Sequence, residues 1–121
     1  MLTAKDAALV AARALDDRKG LKIRVLDVSG LTTLTEYMVL ATGTSDTHIR
    51  ALCDEVEKKM DEAGEALQHR DGYRGDTWIV LDFSGVMVHV FTREQREFYG
   101  LEHIWSDAPV LDLKDVLAAK E

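Results

Sequence analysis

The stretch Val39 to Asp46 passes from an apolar segment through Gly43-Thr44-Ser45 into a helical pattern. A glycine turn feeding a helix start leaves backbone N–H groups without partners, and such a junction can hold a phosphate. Other reactive side chains are sparse. His48, His69, His89 and His103 have none of the spacings that gather zinc ligands, and the single cysteine, Cys53, completes no thiolate set. Ser45 and Ser84 sit in no nucleophile motif. His48 follows the helix cap and is expected to bond locally. His89, in a strand near Asp82, is expected to make a structural Asp–His contact, because no nucleophile accompanies the pair. Cys53 falls on the apolar stripe of a helix and reads as a small buried hydrophobe.

The glycine junction also resembles the first motif of the nucleotidyltransferase fold. Enzymes of that fold need two carboxylates, spaced two apart on a strand, to hold two metal ions. The strand expected to carry them reads Leu81-Asp82-Phe83-Ser84, with serine where the second carboxylate belongs. Glu55 and Glu57 have the spacing but lie mid-helix, where side chains two apart project about 200° from each other. They read as solvated surface charges. Metal-dependent transfer is therefore not expected, and neither a metal nor another cofactor is assigned.

The aromatic residues suggest recognition instead. Trp78, Phe83, Phe91, Phe98, Tyr99 and Trp105 cluster in the second half of the chain. Phe91 and Phe98 read as core. By strand alternation Trp78, Val80 and Asp82 share one face, and a tryptophan beside a carboxylate suits a partly exposed recognition surface. Tryptophan and tyrosine are favoured interface anchors, although Trp78 and Trp105 fit a core equally well.

The elements that must position these groups follow from periodicity and punctuation. A helix is expected from Ala4 to about Lys19, capped by Thr3 and stopped by Gly20. Lys22 to Val28 reads as a strand buried on both faces, and Glu36 to Thr42 as a second strand. Thr44 or Ser45 caps a helix whose stripe is Ile49, Leu52, Cys53, Val56 and Met60, ending at Gly64. Residues 65–76 read as a loop. Thr77 to Phe83 and Val86 to Phe91 form a hairpin about Ser84-Gly85. Thr92 caps a short helix that Gly100 stops, and Asp112 is placed to cap a last one through Leu117. The order α-β-β-α-β-β-α implies a mixed sheet flanked by helices, an α/β (α+β) fold. The helical connection allows the strands at 36–42 and 77–83 to run parallel. The domain is expected to span 1–107, followed by a tail at 108–121.

Composition sets the class. The chain has 121 residues, 46% hydrophobic and 31% charged, the balance of a soluble globular domain. The charged N-terminal stretch does not read as a signal peptide, and no apolar run reaches the length of a membrane span. A cytoplasmic location is expected. The net charge of −7, with 22 acidic against 15 basic residues, argues against a broad grip on DNA or RNA phosphates and suits a basic protein partner.

Several ordered motifs resemble one family, the ribosomal silencing factors or Iojap family. They are Val25-Leu26-Asp27-Val28-Ser29-Gly30-Leu31, Leu34-Thr35-Glu36-Tyr37, Ala41-Thr42-Gly43-Thr44-Ser45-Asp46-Thr47-His48, Trp78-Ile79-Val80-Leu81-Asp82, Gly85-Val86-Met87-Val88-His89-Val90-Phe91, and Arg96-Glu97-Phe98-Tyr99-Gly100-Leu101-Glu102-His103-Ile104-Trp105. The resemblance implies a nucleotidyltransferase-like fold without its catalytic carboxylates, and no enzymatic activity. It implies docking on the large ribosomal subunit through ribosomal protein L-fourteen, a steric block to joining of the small subunit, and repression of translation. It further implies a homodimer when free, with little direct RNA contact. A role in large-subunit assembly is the alternative, and a divergent nucleotidyltransferase a remoter one. The docking patch expected from this resemblance comprises Trp78, Asp82, His89, Tyr99, Leu101, Glu102 and Trp105. Trp78 and Trp105 would serve as apolar anchors, and Asp82 and Glu102 would pair with basic groups.

Overall fold

The computed structural model describes residues 2–73, 77–114 and 117. Helix α1 (Ala4–Asp17) starts at Thr3, whose hydroxyl accepts the Asp6 N–H. Its buried side is Ala7, Ala8, Ala11, Ala12 and Ala14 with Leu15, small enough for the backbone to approach its neighbours closely. It ends at Asp17 rather than Lys19, because Lys19 takes a left-handed φ of 63°. Gly20 then folds back, its N–H 2.8 Å from the Leu15 carbonyl.

Strand β1 (Leu21–Asp27) is less buried than its composition suggests. Leu21, Lys22 and Arg24 are exposed, and the register slips between Leu21 and Arg24. Ile23 is buried between them, and from Val25 the strand runs in the core through Leu26. Strand β2 (Tyr37–Thr42) leads through Gly43 to α2 (Asp46–Glu62), whose cap is Ser45. The glycine is needed for packing: a Cβ there would lie 2.5 Å from Ile49 Cγ1. Cys53 is fully buried on the α2 stripe, as expected.

The region read as a loop contains a fifth strand, β3 (His69–Tyr73). It is followed by β4 (Trp78–Asp82) and β5 (Val86–Phe91), joined by the expected hairpin with Ser84 at a φ of 76°. The sheet order is β1-β2-β5-β4-β3. Among the described residues only β2 and β5 pair in parallel; the other three strand pairings are antiparallel. The expected parallel relation between 36–42 and 77–83 is therefore absent. The helical crossover delivers the chain to β3 at the far edge, β4 returns antiparallel to it, and β5 comes to lie beside β2. Two short helices close the main body, α3 (Arg93–Tyr99) and α4 (Leu101–Ile104).

Alternation divides the sheet into two faces. Ile23, Val25, Val39, Ala41, Ile79, Leu81, Val88 and Val90 pack under α1 and α2 in the larger core. Leu26, Val28, Met38, Leu40 and Phe91 point the other way and form a smaller core with Ala108, bordered by Trp78, Met87, Leu101 and Trp105. The chain beyond α4 seals the edge of β1. Asp27 N–H meets the Pro109 carbonyl and Leu111 N–H the Val25 carbonyl, both at 2.9 Å. Asp112 Oδ1 accepts the Lys114 N–H at 2.9 Å. The helix expected from Asp112 through Leu117 lies partly outside the described residues.

Gly43→Ala is expected to cost about 1–3 kcal/mol by forcing Ile49 out of place. Gly30→Ala, with open space around its added carbon, is expected to be near neutral. Urea unfolding of the two variants checks both.

Candidate functional site

Helix α3 is short and carries little apolar surface, so polar contacts must position it. Thr92 caps it by accepting the Gln95 N–H at 3.1 Å, and Gly100 ends it at a left-handed φ of 57°. Between them Arg96 points inward and is only 7% exposed. Its Nε donates to Glu102 Oε1 at 2.8 Å and its Nη1 to Thr42 Oγ1 at 2.9 Å. The guanidinium also lies 5.7 Å from the Phe91 ring centroid. A buried cation needs such partners, since its desolvation is otherwise uncompensated. The bond from Arg96 holds the Glu102 carboxyl below the usual carboxylate range, opposed by its partial burial and helped by the nearby charges of Arg24 and Lys22.

This anchor fixes the corner that carries Phe98, Tyr99, Leu101, Ile104 and Trp105. Tyr99 stacks on Trp78 of β4 with ring centroids 4.6 Å apart, and Phe98 meets Tyr99 edge-on at 5.0 Å. Trp78 is held from below as well, its indole N–H donating to His89 Nδ1 at 3.1 Å. That bond requires a neutral imidazole with its proton on Nε2. Burial supplies the condition by pushing the His89 pKa down to about 4.

The structure thus brings Trp78, His89 and Tyr99 together, with Leu101 and Trp105 against the same small core. His89 is 6% exposed and lies beneath this surface rather than on it. The expected Asp–His contact is not formed. His89 pairs across the sheet with Val80 and bonds to Trp78, while His69 stands opposite Asp82. Asp82 lies at the other end of β4, about 13 Å along the strand from Trp78, and its Oδ1 accepts the Ser84 N–H of the hairpin. Glu102 sits at the corner, committed to Arg96.

Two further expectations are corrected. Phe98 is not core but 76% exposed beside Tyr99, and Ile104 of the adjoining α4 is 65% exposed. Adjacent helix positions lie about 100° apart, so a helix that turns Arg96 and Tyr99 inward must turn Phe98 out. Glu55 is not a solvated charge but buried, bonded by Arg18 at 3.2 Å with Lys59 at 3.9 Å. Glu57 keeps partial exposure beside Arg70.

The Gly43-Thr44-Ser45 junction is occupied by its own chain. Ser45 Oγ takes the His48 N–H, and His48 Nδ1 takes the Thr44 N–H at 2.9 Å. The opposite ring nitrogen of His48 donates to the Arg18 carbonyl at 2.9 Å. The Gly43 N–H is taken as well, by the Phe91 carbonyl at 3.0 Å. Among the described residues no group of three or more His, Cys, Asp or Glu side chains could hold a metal ion, and no helix is long and apolar enough to cross a membrane.

The class that the structure itself defines is an α+β fold, a mixed five-stranded sheet flanked by helices, with Trp78, Tyr99 and an exposed Phe98 gathered at one corner. Comparison with known proteins identifies the class more closely. The model of the family described as "Ribosomal silencing factor during starvation" matches residues 1–121, and the chain belongs to that family. It is 34% identical to ribosomal silencing factor RsfS of Bacillus subtilis, covering 90% of this chain and 92% of that one. It is 36% identical to the chloroplastic protein Iojap of Zea mays over 88% of this chain and 46% of that longer protein. A crystal structure of a protein from Chromobacterium violaceum superposes with a TM-score of 0.84 at 34% identity, covering 87% of this chain and 88% of the other. One from Bacillus halodurans gives 0.78 at 28% identity, covering 90% and 99%.

Two predictions test this geometry. Because the folded His89 pKa of about 4 lies below the ordinary 6.5, the unfolded chain takes up the proton first as pH falls. The associated stability is complete above about pH 6.5 and lost progressively toward pH 4, by up to ~3 kcal/mol. Urea unfolding across this range should show His89→Gln losing less than the unsubstituted chain by about that amount. Arg96→Met should cost about 1–3 kcal/mol by stranding the buried Thr42 hydroxyl. It should also broaden the Tyr99 and Trp105 resonances in NMR spectra as the corner loosens.

Proposed function

We propose that the chain docks on the large ribosomal subunit through its aromatic corner and prevents the small subunit from joining, so that translation is repressed. The contact is with ribosomal protein L-fourteen, a basic surface suited to a chain of net charge −7. The observation that carries this reading is the ring cluster of Trp78, Tyr99 and exposed Phe98, on a corner fixed by Arg96 and followed by exposed Ile104 on α4, in a member of the ribosomal silencing family. Large aromatic anchors supply most of the energy of such interfaces. Leu101 and Trp105 extend the patch. His89 contributes by orienting Trp78, Glu102 by pairing Arg96, and Asp82 lies at the margin toward the hairpin.

The mechanism is occlusion, requiring no bond to be made or broken. The chain acts in the cytoplasm, where ribosomes are available to it. A second copy covers the same apolar corner when no ribosome is present, so docking and self-association compete.

Phe98→Ser with Ile104→Ser is expected to weaken binding to purified large subunits about tenfold or more without loss of stability, because both side chains are exposed. Affinity measured by co-sedimentation, with urea unfolding of the same sample, checks this. Unchanged affinity in the folded double variant moves the docking surface elsewhere.

A further inference from the structure

Against the α3–α4 corner lies a cleft of about 460 Å³. Lys22, Thr42, Arg93, Arg96, Glu97, Gly100, Glu102 and His103 line it. For a chain with net charge −7 this local balance is unusual. Three permanent cations and a histidine face two carboxylates, and Glu102 is already engaged by Arg96. Arg24 lies near enough to Glu102 to act on its charge as well. Lys22 and Arg93 are exposed and enter no ion pair among the described residues. Lys22 stands at the irregularity that shifts the β1 register, with a φ of 49°. It lines the cleft together with Arg93, the first residue of α3.

We propose that this cleft receives the backbone phosphates of ribosomal RNA bordering the protein docking site. The inference rests on the docking reading above, since the cleft shares Glu102 and Gly100 with the corner that carries Tyr99, Leu101 and Trp105. Charge complementarity chooses the occupant. Ribosomal proteins are basic as a group, so the anion a ribosome presents to such a cleft is a phosphate. The lining residues also decide between a backbone and a free nucleotide. They include no Trp, Tyr or Phe on which a base could stack, whereas sites that grip bases use such platforms. Lys22 and Arg93 would flank the phosphate, and Arg96 would give the rim a fixed positive wall because Glu102 and Thr42 hold it in place. The overall negative charge keeps the rest of the surface off RNA, so the contact is local and few phosphates are neutralised.

Lys22→Gln with Arg93→Gln tests this, since both side chains are exposed. Large-subunit affinity is measured from about 50 to about 200 mM salt for the unsubstituted chain and the double variant. Two lost phosphate contacts reduce the magnitude of the log–log salt slope by about 1.4–1.8, so the unsubstituted chain should lose about tenfold more affinity over that range. Binding to the isolated ribosomal protein should be equal for the two, and Lys22→Arg with Arg93→Lys should restore the slope. An unchanged slope in the Gln variant overturns this inference and leaves the docking reading standing. An equal change in binding to the isolated protein also overturns it, by assigning the two charges to a protein contact. If the unsubstituted chain binds no large subunit, the docking reading falls and takes this inference with it.

Discussion

A guanidinium taken out of water has to be met on every side that matters, and Arg96 is met by three parts of the fold. Thr42 comes from the end of β2, Phe91 from the end of β5, and Glu102 from the start of α4. Strands β2 and β5 are the parallel pair at the sheet centre, in register from Tyr37 with Val86 to Thr42 with Phe91. The one buried cation of α3 therefore reads the position of both central strands and transmits it to the corner outside them. Without it, a seven-residue helix with two aromatic side chains would have little reason to hold one orientation. The placement of Tyr99 on Trp78 depends on this anchor.

The aromatic corner and its histidine show the same economy. Trp78 is clamped between Tyr99 above and the His89 acceptor below. A large anchor held in one rotamer loses little entropy on binding, which favours a docking surface. Catalysis asks for something else, a nucleophile, base or metal set within reach of one another. Here the histidine with the strongly lowered pKa is beneath a tryptophan, and at the glycine junction the Thr44 N–H and the Ser45 hydroxyl are both engaged with His48. The perturbed histidine thus reports its burial beneath Trp78.

Much of the architecture could be read from residue order because the signals were local. Thr3, Ser45 and Thr92 each cap a helix with the hydroxyl expected of them, and the Ser84-Gly85 hairpin joins two strands of clear apolar character. β3 was hidden because His-Arg-Asp-Gly-Tyr has no apolar alternation. It lies at the sheet edge, where Arg70 is held by Asp54 and Glu57 of α2 instead of by core contacts. Missing it also misassigned the parallel pair, since each extra strand reverses the direction of the next. Within the candidate site, residue type marked Trp78 and Trp105 as large aromatics that suit a core or an interface, and the structure places both at the border of the smaller core, with Tyr99 against Trp78. Burial depends on helix phase, so Phe98, expected in the core, is exposed while Arg96 is buried. A clue was available: Thr92, Arg96 and Tyr99 fall at helical spacing, which turns the arginine toward the sheet. The depth of His89 and its indole partner depend on the pairing of β4 with β5, a tertiary fact that spacing along the chain does not carry.

The central claim is that the aromatic corner blocks subunit joining by occupying space. The most direct measurement mixes purified large and small subunits with increasing amounts of the chain and follows joined ribosomes by sedimentation. The account predicts that joined particles fall as the chain accumulates on the large subunit alone, with half-inhibition at the concentration that half-saturates that binding. Large subunits that carry the chain and still join small ones at the unhindered level would contradict it.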